Sequence, residues 1–557
     1  MAIVVREAPD RWAHGRHPSS ESTTTDGIRH DLRHAPPARA RAAPRRFASV
    51  SVAAILAESA ERHADRVAVV VGDVSTTYRE LWDETRAYAG ALRDRGVGEG
   101  TRVAMLIPNV ADFPRVYYAV LALGGVVVPV HALLKSEEIA YVLRDSGSAL
   151  LVCAGPLLEQ GAKGAALADV PVISVLVPAS TEGGPDRLEE LAQAATPIRT
   201  YVPRRPSDTA TILYTSGTTG QPKGAEGSHL ALVMQVDVLI LDTFDLRAGD
   251  RILGCLPLFH TFGQTCTMNA SFRAGATIVM VPRFDGDTAL ALMVEHETQV
   301  FMGVPTMYFA LLAAAARNPA RPVLRYAISG GAAIPVAVID AFREQFDAEI
   351  HEGYGLTETS PVASFNHVGV PARPGTVGKP IWGVQIEIAD PEHEDRVELV
   401  ERGTLGEIVI RGHNLMNGYL HRPEDTARAV VDGWFRSGDL GTIDEDGYIR
   451  VVDRTKDMIL RNGYNVYPRE VEEVLARHEA VAQCAVFGVP HEEHGQEIVA
   501  AIVPKADATV DAAEVVAYMK ERIASYKYPR RVEVVEALPL GPSGKILKRT
   551  LVERFGA

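Results

Sequence analysis

From about residue 50 the chain alternates between amphipathic stretches and short runs of Val, Ile and Leu. "SVAAILAESAERHADRVAVVV" (51–71) reads as helix then strand. "TYRELWDETRAYAGALRDRGVGEGTRVAMLI" (77–107) reads as helix, glycine turn, strand. "SEEIAYVLRDSGSALLVCAG" (136–155) and "DVPVISVLVPA" (169–179) continue the rhythm, and it resumes over 275–317 and 324–334. Short apolar strands alternating with helices require parallel or mixed sheets covered by helices on both faces. At 557 residues the chain exceeds what one core holds, since single cores stop growing near ~250–300 residues. Several domains are expected.

Beyond residue 370 the pattern changes. "GVQIEIAD", "GEIVIRG" and "GYIRVVD" are short strands separated by Gly, Asp and Pro turns, which predicts a small β-rich subdomain over about 370–453. After it, residues 457–557 have the length and mixed pattern of a separate α+β domain. Residues 1–48 are rich in Arg, His, Pro, Ser and Thr and lack any helical or strand period, so this arm is expected to be disordered. The most apolar stretch, 116–134, is broken by Gly124-Gly125, Pro129 and His131. It is expected to form a buried helix, a turn and a buried strand rather than a membrane span. That leaves room for no more than peripheral contact with a membrane.

The net charge of −14 excludes a uniformly basic nucleic-acid binder. An acidic chain that handles phosphates must concentrate positive charge locally. The four cysteines (Cys153, Cys255, Cys266, Cys484) have no CxxC spacing, which argues against a structural zinc site on cysteines and against a disulfide framework and fits a reducing cytoplasm.

One segment has the concentrated character of a phosphate site. "YTSGTTGQPKGAEGSH" (214–229) follows the β-branched run "TATILY". Its glycines permit close backbone approach and an anion-binding nest of N–H groups. Thr215, Ser216, Thr218 and Thr219 add hydroxyls, Gly217 and Gly220 add freedom, and Lys223 adds charge. The spacing differs from GxxxxGK[ST], the loop that serves γ-phosphate transfer.

This loop resembles the signature of the adenylate-forming superfamily, which includes acyl-CoA synthetases. Its companions occur in family order: "SGGAAI" (329–334), "GYGLTETSP" (353–361), "GWFRSGDLG" (433–441), "DRTKDMILRNGYNVYPREVE" (453–472) and "LPLGPSGKILKR" (538–549). The resemblance covers about residues 50–557. It implies the fold of that superfamily: an α/β domain over 49–453, a hinge at 454–456 and a mobile domain over 457–557.

The resemblance also implies roles. The glycine-rich loop would hold the β- and γ-phosphates of ATP while a carboxylate attacks the α-phosphorus. Gly330, Gly331 and Ala332 would let the backbone pass beside the nucleotide. Within Gly353-Tyr354-Gly355, Tyr354 would lie on the adenine. Thr357 would bond the α-phosphate and Glu358 would hold Mg²⁺. Asp439 and Arg454 would reach the ribose, and Lys456 matches the hinge. Lys545 would stabilise the charge that gathers between carboxylate and phosphorus. Gly463, in the loop 461–468, would give room to the thiol arm of CoA. His260 matches a histidine at the mouth of the acyl tunnel, where it would gate the site or orient the carboxylate. His351 and Glu352 are read with the nucleotide side.

The acyl pocket is expected to involve His260, Met302, Gly303, Met307 and Gly331. The segments 301–309, 329–334 and 351–355 carry no basic residue for a second carboxylate, and none of the acidic ones is assigned to an amino group. An apolar lining favours a medium- to long-chain fatty acid. An aryl or 4-coumarate-type acid is the alternative. The acceptor is CoA, with an acyl carrier protein as the other candidate, although no insertion impeding the C-terminal swing is evident. A non-catalytic nucleotide-binding module is disfavoured because Lys223, Glu358, Asp439, Arg454 and Lys545 are all present. The protein is expected to be a monomer or homodimer.

Overall fold

The structure is a computed structural model, and it describes residues 49–178, 184–215, 221–505, 508–541 and 544–556. The N-terminal arm and Ser216, Gly217, Thr218, Thr219 and Gly220 of the phosphate loop lie outside the described residues.

The alternating segments build two large sheets. A six-stranded sheet runs in the order Val172–Val175, Leu150–Ala154, Arg102–Leu106, Val126–Pro129, Thr209–Thr215, Lys223–Ser228. Its pairs are parallel except the last, where Thr209–Thr215 and Lys223–Ser228 form an antiparallel hairpin. Leu150–Ala154 and Val126–Pro129 are buried along their whole length, as strands covered on both faces must be. A nine-stranded sheet has a parallel centre made of Ile350–Gly355, Tyr326–Ser329, Val300–Gly303, Arg251–Gly254, Thr277–Met280 and Val67–Val71.

Helices Tyr78–Asp94 and Asp112–Ala122 contribute to a core shared by strands of both sheets. The first starts at a capping box, with Thr77 and Glu80 satisfying each other's exposed N–H groups. The apolar stretch 116–134 forms the end of helix Asp112–Ala122, a turn at Gly124 with φ +75°, and strand Val126–Pro129. Among the described residues no helix is long and apolar enough to cross a membrane.

The change of pattern after residue 370 produces a five-stranded antiparallel sheet containing Val384–Ala389, Gly406–Gly412, Trp434–Ile443 and Ile449–Arg454. The last five-stranded sheet comprises Ile459–Arg461, Tyr464–Val466, Val481–His491, Gly495–Pro504 and Arg531–Val534. Helices Pro468–Leu475 and Ala512–Lys520 cover one apolar cluster of that sheet, and helix Lys548–Phe555 covers another. Arg461 and Tyr464 pair directly across Asn462 and Gly463, whose φ values of 51° and 77° make the two-residue turn of an Asn-Gly hairpin.

Candidate active site

Parallel register brings the central motifs together. Gly303 pairs with Ser329 and Ser329 with Glu352, so the segments after these strands leave one edge of the sheet side by side. Gly330-Gly331 and Tyr354–Glu358 therefore meet where ligands bind in open α/β sheets, beyond the carboxyl ends of the strands. Gly331 has φ +82°, and the position a β-carbon would take there lies 3.6 Å from Lys545 Cε. A β-carbon on Gly330 would come within 3.2 Å of the Phe262 ring.

Thr215 and Lys223 pair across the neck of the phosphate hairpin. Lys223 Nζ lies 3.1 Å from Asp425 Oδ1 and 5.3 Å from the centre of the Tyr419 ring. Tyr419 donates its hydroxyl to Glu358 Oε1 at 2.7 Å. The segment 417–420 adds itself to the edge of strand Lys223–Ser228 through backbone bonds between Asn417 and Glu226, Glu226 and Gly418, and Leu420 and Gly224. A separate stretch of chain thus ties Lys223 to the carboxylate of Glu358. Sequence reasoning missed Tyr419 and Asp425, which sit in "GYLHRPED" without a glycine-rich or basic signal.

A second cluster faces the same cleft. Tyr354 Oη donates to Asp439 Oδ2 at 2.6 Å, and Arg454 Nε lies 3.2 Å from Asp439 Oδ1. Asp439 and Arg454 are cross-strand partners, so their side chains emerge together. Burial and the Asp439 carboxylate push the Tyr354 phenol well above its usual range. The pKa of Lys456 is lowered by burial and by the nearby Lys223 and Arg454 cations. Asp453 is buried, and accepts the backbone N–H of Arg454 at 2.8 Å and of Arg469 at 3.0 Å. It fastens the start of helix Pro468–Leu475 to the strand that carries Arg454.

Lys545 arrives from the far end of the chain. Gly544 carries it in: its carbonyl accepts the Thr306 hydroxyl at 3.3 Å, and its φ of +78° belongs to the left-handed region. A β-carbon there would lie 2.8 Å from Val304 Cγ2. Burial and the positive charge of Arg454 lower the Lys545 pKa to about 8, while Asp439 pulls the other way. His260 shares the cavity wall with Lys545. Its pKa is lowered to about 3 by burial and by Lys545, so the ring is neutral. The Phe262 backbone N–H donates to His260 Nδ1 at 3.2 Å, which places the ring proton on Nε2. Asn109, fully embedded, donates to Gly254 O and Leu256 O and accepts from Leu258 N at 3.0 Å, and so holds the turn leading to His260. Its importance was invisible in the sequence.

Beside Lys545 lies a cavity of about 10 Å³ walled by Leu256, Pro257, His260, Phe262, Gly263, Val304, Gly331 and Lys545. Of the residues expected to line the acyl pocket, His260 and Gly331 are in this wall. Met302, Gly303 and Met307 are not: Met302 and Met307 are buried with their sulfurs toward Thr267 and Cys255. Gly303 is bare because a β-carbon would come within 2.8 Å of the Phe301 ring. Gly353 and Gly355 are likewise demanded by the fold, by the Phe365 ring and the Pro361 carbonyl respectively. Gly463 has nothing within 4 Å of a notional β-carbon; its turn conformation is what requires glycine.

His351 and Glu352, read from the sequence with the nucleotide side, are both buried. His351 donates from Nδ1 to Asn366 O at 2.9 Å within the core. The Glu352 carboxyl is buried with Oε2 lacking a hydrogen-bond partner among the described residues, and it feels Glu473 and Arg469 of helix Pro468–Leu475. Glu352 stands two residues before Tyr354 and shares its face of the strand, while His351 points to the other face.

The family model described as AMP-binding enzyme matches residues 56–420, and that described as AMP-binding enzyme C-terminal domain matches 470–545. The chain belongs to the AMP-binding enzymes. It is 33% identical over 530 residues to the long-chain-fatty-acid–CoA ligase of Bacillus subtilis (strain 168), covering 90% of this chain and 93% of that one. It is 35% identical over 491 residues to a feruloyl-CoA synthase of Amycolatopsis sp, covering 88% and 96%. Among solved structures, ATP-bound MatB from Rhodopseudomonas palustris superimposes with a TM-score of 0.81 at 31% identity, covering 90% and 99%. The chain is an acid–thiol ligase of this family. In the ligase, Thr215, Lys223, Tyr354, Glu358 and Tyr419 fall within the first matched stretch and Lys545 closes the second, while Asp439, Arg454, Lys456 and Gly463 lie between them.

Proposed function

We propose that the ligase activates a monocarboxylic acid with ATP, releases pyrophosphate and passes the acyl group from acyl-AMP to CoA. The observation that carries this reading is the convergence of Lys545, from the last lobe of the chain, with Gly331, His260 and the Asp439–Arg454 pair. In the first step a carboxylate oxygen attacks the α-phosphorus and the bond to the pyrophosphate oxygen breaks. Both reactants are anionic, so the ammonium of Lys545 stabilises the crowded transition state more than the separated ground state. Asp439 accepts from the ribose hydroxyls, with Arg454 beside it. Tyr354 offers its ring to the adenine and its hydroxyl to Asp439. Thr357 bonds the α-phosphate.

Lys223 and the hydroxyl-rich loop from Thr215 hold the departing phosphates. Glu358 fits Mg²⁺: it is a nearly buried carboxylate beside the phosphate lysine, and its described hydrogen bond, from Tyr419, occupies one oxygen. A single carboxylate completed by phosphate oxygens suits that ion, which neutralises phosphate charge when bound.

In the second step a thiolate attacks the acyl carbonyl carbon and AMP leaves. The hairpin around Asn462-Gly463 reaches the cleft by a swing about residues 454–456, so that Lys545 and the hairpin serve in turn. CoA is the acceptor assigned here, in line with the relatives' names.

The wall residues Leu256, Pro257, Phe262 and Val304 are apolar, which supports a medium- to long-chain fatty acid. The second reading is an aryl acid. It is supported by the feruloyl-CoA synthase likeness. A panel of acids in a pyrophosphate-release assay, with and without CoA, decides between them. Mg-ATP turnover that no carboxylic acid stimulates would overturn the activity assignment.

A further inference from the structure

A cluster of metal-ligating side chains lies outside the cleft, on the hairpin Val481–His491 and Gly495–Pro504. His491, His494 and Glu497 are half-buried, and one ligand atom of each lies within 4.8 Å of the other two. The imidazoles of His491 and His494 stack with centroids 4.5 Å apart. His491 pairs with Gly495, so Glu497, two residues further, shares its face of the strand pair. His494 comes in from the turn between them.

The hydrogen bonds leave ligand positions open. Asn462 Oδ1 is an acceptor, so His494 donates Nδ1–H to it at 2.9 Å and keeps its lone pair on Nε2. This is the arrangement that orients histidine ligands in metal sites. Glu497 Oε1 accepts from Arg461 Nε at 2.7 Å and from Ile498 N at 2.9 Å. Oε2 accepts only from Arg461 at 3.0 Å among the described residues, and a carboxylate oxygen has two acceptor directions. Arg461 is neutralised by that pairing, and Glu492 and Glu493 stand exposed beside the histidines. For His491 to ligate through Nδ1, it gives up a 3.2 Å bond from the Glu493 backbone N–H.

We infer that His491, His494 and Glu497 form a site for a late first-row divalent ion, zinc being the one tested, that braces the Asn462-Gly463 hairpin. Two imidazoles and a carboxylate with an open fourth position suit that class of ion. The bracing follows from connectivity. Asn462 bonds His494 through both side chain and backbone, and Arg461 joins Glu497 to the same hairpin. An ion bound to His494 and Glu497 therefore restrains the turn from two sides.

The test uses full-length protein stripped with a chelator and needs no substrate, so it stands apart from the proposed reaction. Co²⁺ is titrated in and its visible d–d absorption followed, then Zn²⁺ is added to displace it. One Co²⁺ per chain is expected. His491→Gln and His494→Gln are each expected to weaken binding at least ~10-fold, since loss of an orienting partner alone costs that much. Hydrogen exchange of the 461–466 amides is expected to slow with Zn²⁺ in the wild type and not in the double variant. Melting temperatures matching wild type establish that the variants are folded. Absence of the cobalt spectrum, a spectrum that survives in the double variant, or exchange at 461–466 that ignores Zn²⁺ would overturn the inference.

Discussion

Tyr354 and Asp439 are 85 residues apart in sequence and 2.6 Å apart in space, the phenol hydroxyl donating to a carboxylate oxygen that is almost fully enclosed. The bond joins the aromatic residue proposed to carry the adenine to the carboxylate proposed to carry the ribose. Tyr354→Phe keeps the ring and frees Asp439. It is expected to raise the KM for ATP a few-fold. Asp439→Ala removes the acceptor and leaves Arg454 without its partner, and is expected to raise KM by at least ~10-fold, since charged hydrogen bonds contribute ~1.5–3 kcal/mol. Initial-rate kinetics at varied ATP check both.

Lys545→Ala is expected to slow acid-dependent pyrophosphate release by ~10²–10³, the range for losing one preorganised charge-stabilising group. Thioester formation from presynthesised acyl-AMP should change little. The Lys545 pKa of about 8 sets a pH limb. The charged form is the useful one, so kcat/KM for pyrophosphate release falls as pH rises through about 8. Lys545→Arg should move that fall to higher pH whatever it does to the maximum rate.

Asp425 holds Lys223 at 3.1 Å, so on the proposed role the phosphates would draw the ammonium away from a carboxylate. Asp425→Asn keeps the shape and removes the competing charge. ATP binding, followed by calorimetry, is expected to tighten by ~3-fold, while Lys223→Ala weakens it by more than ~10-fold, as charge-assisted phosphate bonds are the strong ones.

Glu352 is a buried carboxyl whose pKa is raised to about 8, first by desolvation, with the Glu473 carboxylate adding to it. The folded value exceeds the unfolded one, so the folded state holds the proton more tightly. Its stabilising contribution is complete below the ordinary glutamate range and is lost as pH rises through about 8. The melting temperature of the wild type should decline over that window. Glu352→Gln, which keeps the neutral form at every pH, should flatten the decline.

Gly303 separates a pocket role from a packing role. With Phe301 only 2.8 Å from a notional β-carbon, Gly303→Ala is expected to destabilise the fold by about 1–3 kcal/mol. The ranking of acids in the substrate panel should not change. A reordered ranking with an unchanged melting temperature would assign the glycine to the acyl pocket instead.

The sequence made legible what depends on local chemistry. The alternation of helices and buried strands and the break at Gly124 could be read because each carries its character within a few positions, and the GYGLTE and SGD motifs could be read as neighbours because Tyr354 and Asp439 do meet. Tyr419, Asp425, Asn109 and Asp453 were illegible because their work depends on strand order. Tyr419 matters only once its segment lies along Lys223–Ser228, and Asn109 only once it faces the turn at Leu256. Met302 and Met307, expected at the acyl pocket, are buried in the core and lie outside the wall of the small cavity beside Lys545.

The Gly544 contact with Thr306, and Lys545 standing in the wall beside His260, make the catalytic side chain also a stopper. While seated it fills the space between His260 and Gly331, and in the proposed reaction it would stand between solvent and the mixed anhydride. Withdrawal of the same tail admits the thiol. On the proposed mechanism the ligase would guard its intermediate from wasteful hydrolysis without a dedicated lid, because the group that drives the first reaction would have to vacate before anything could start the second.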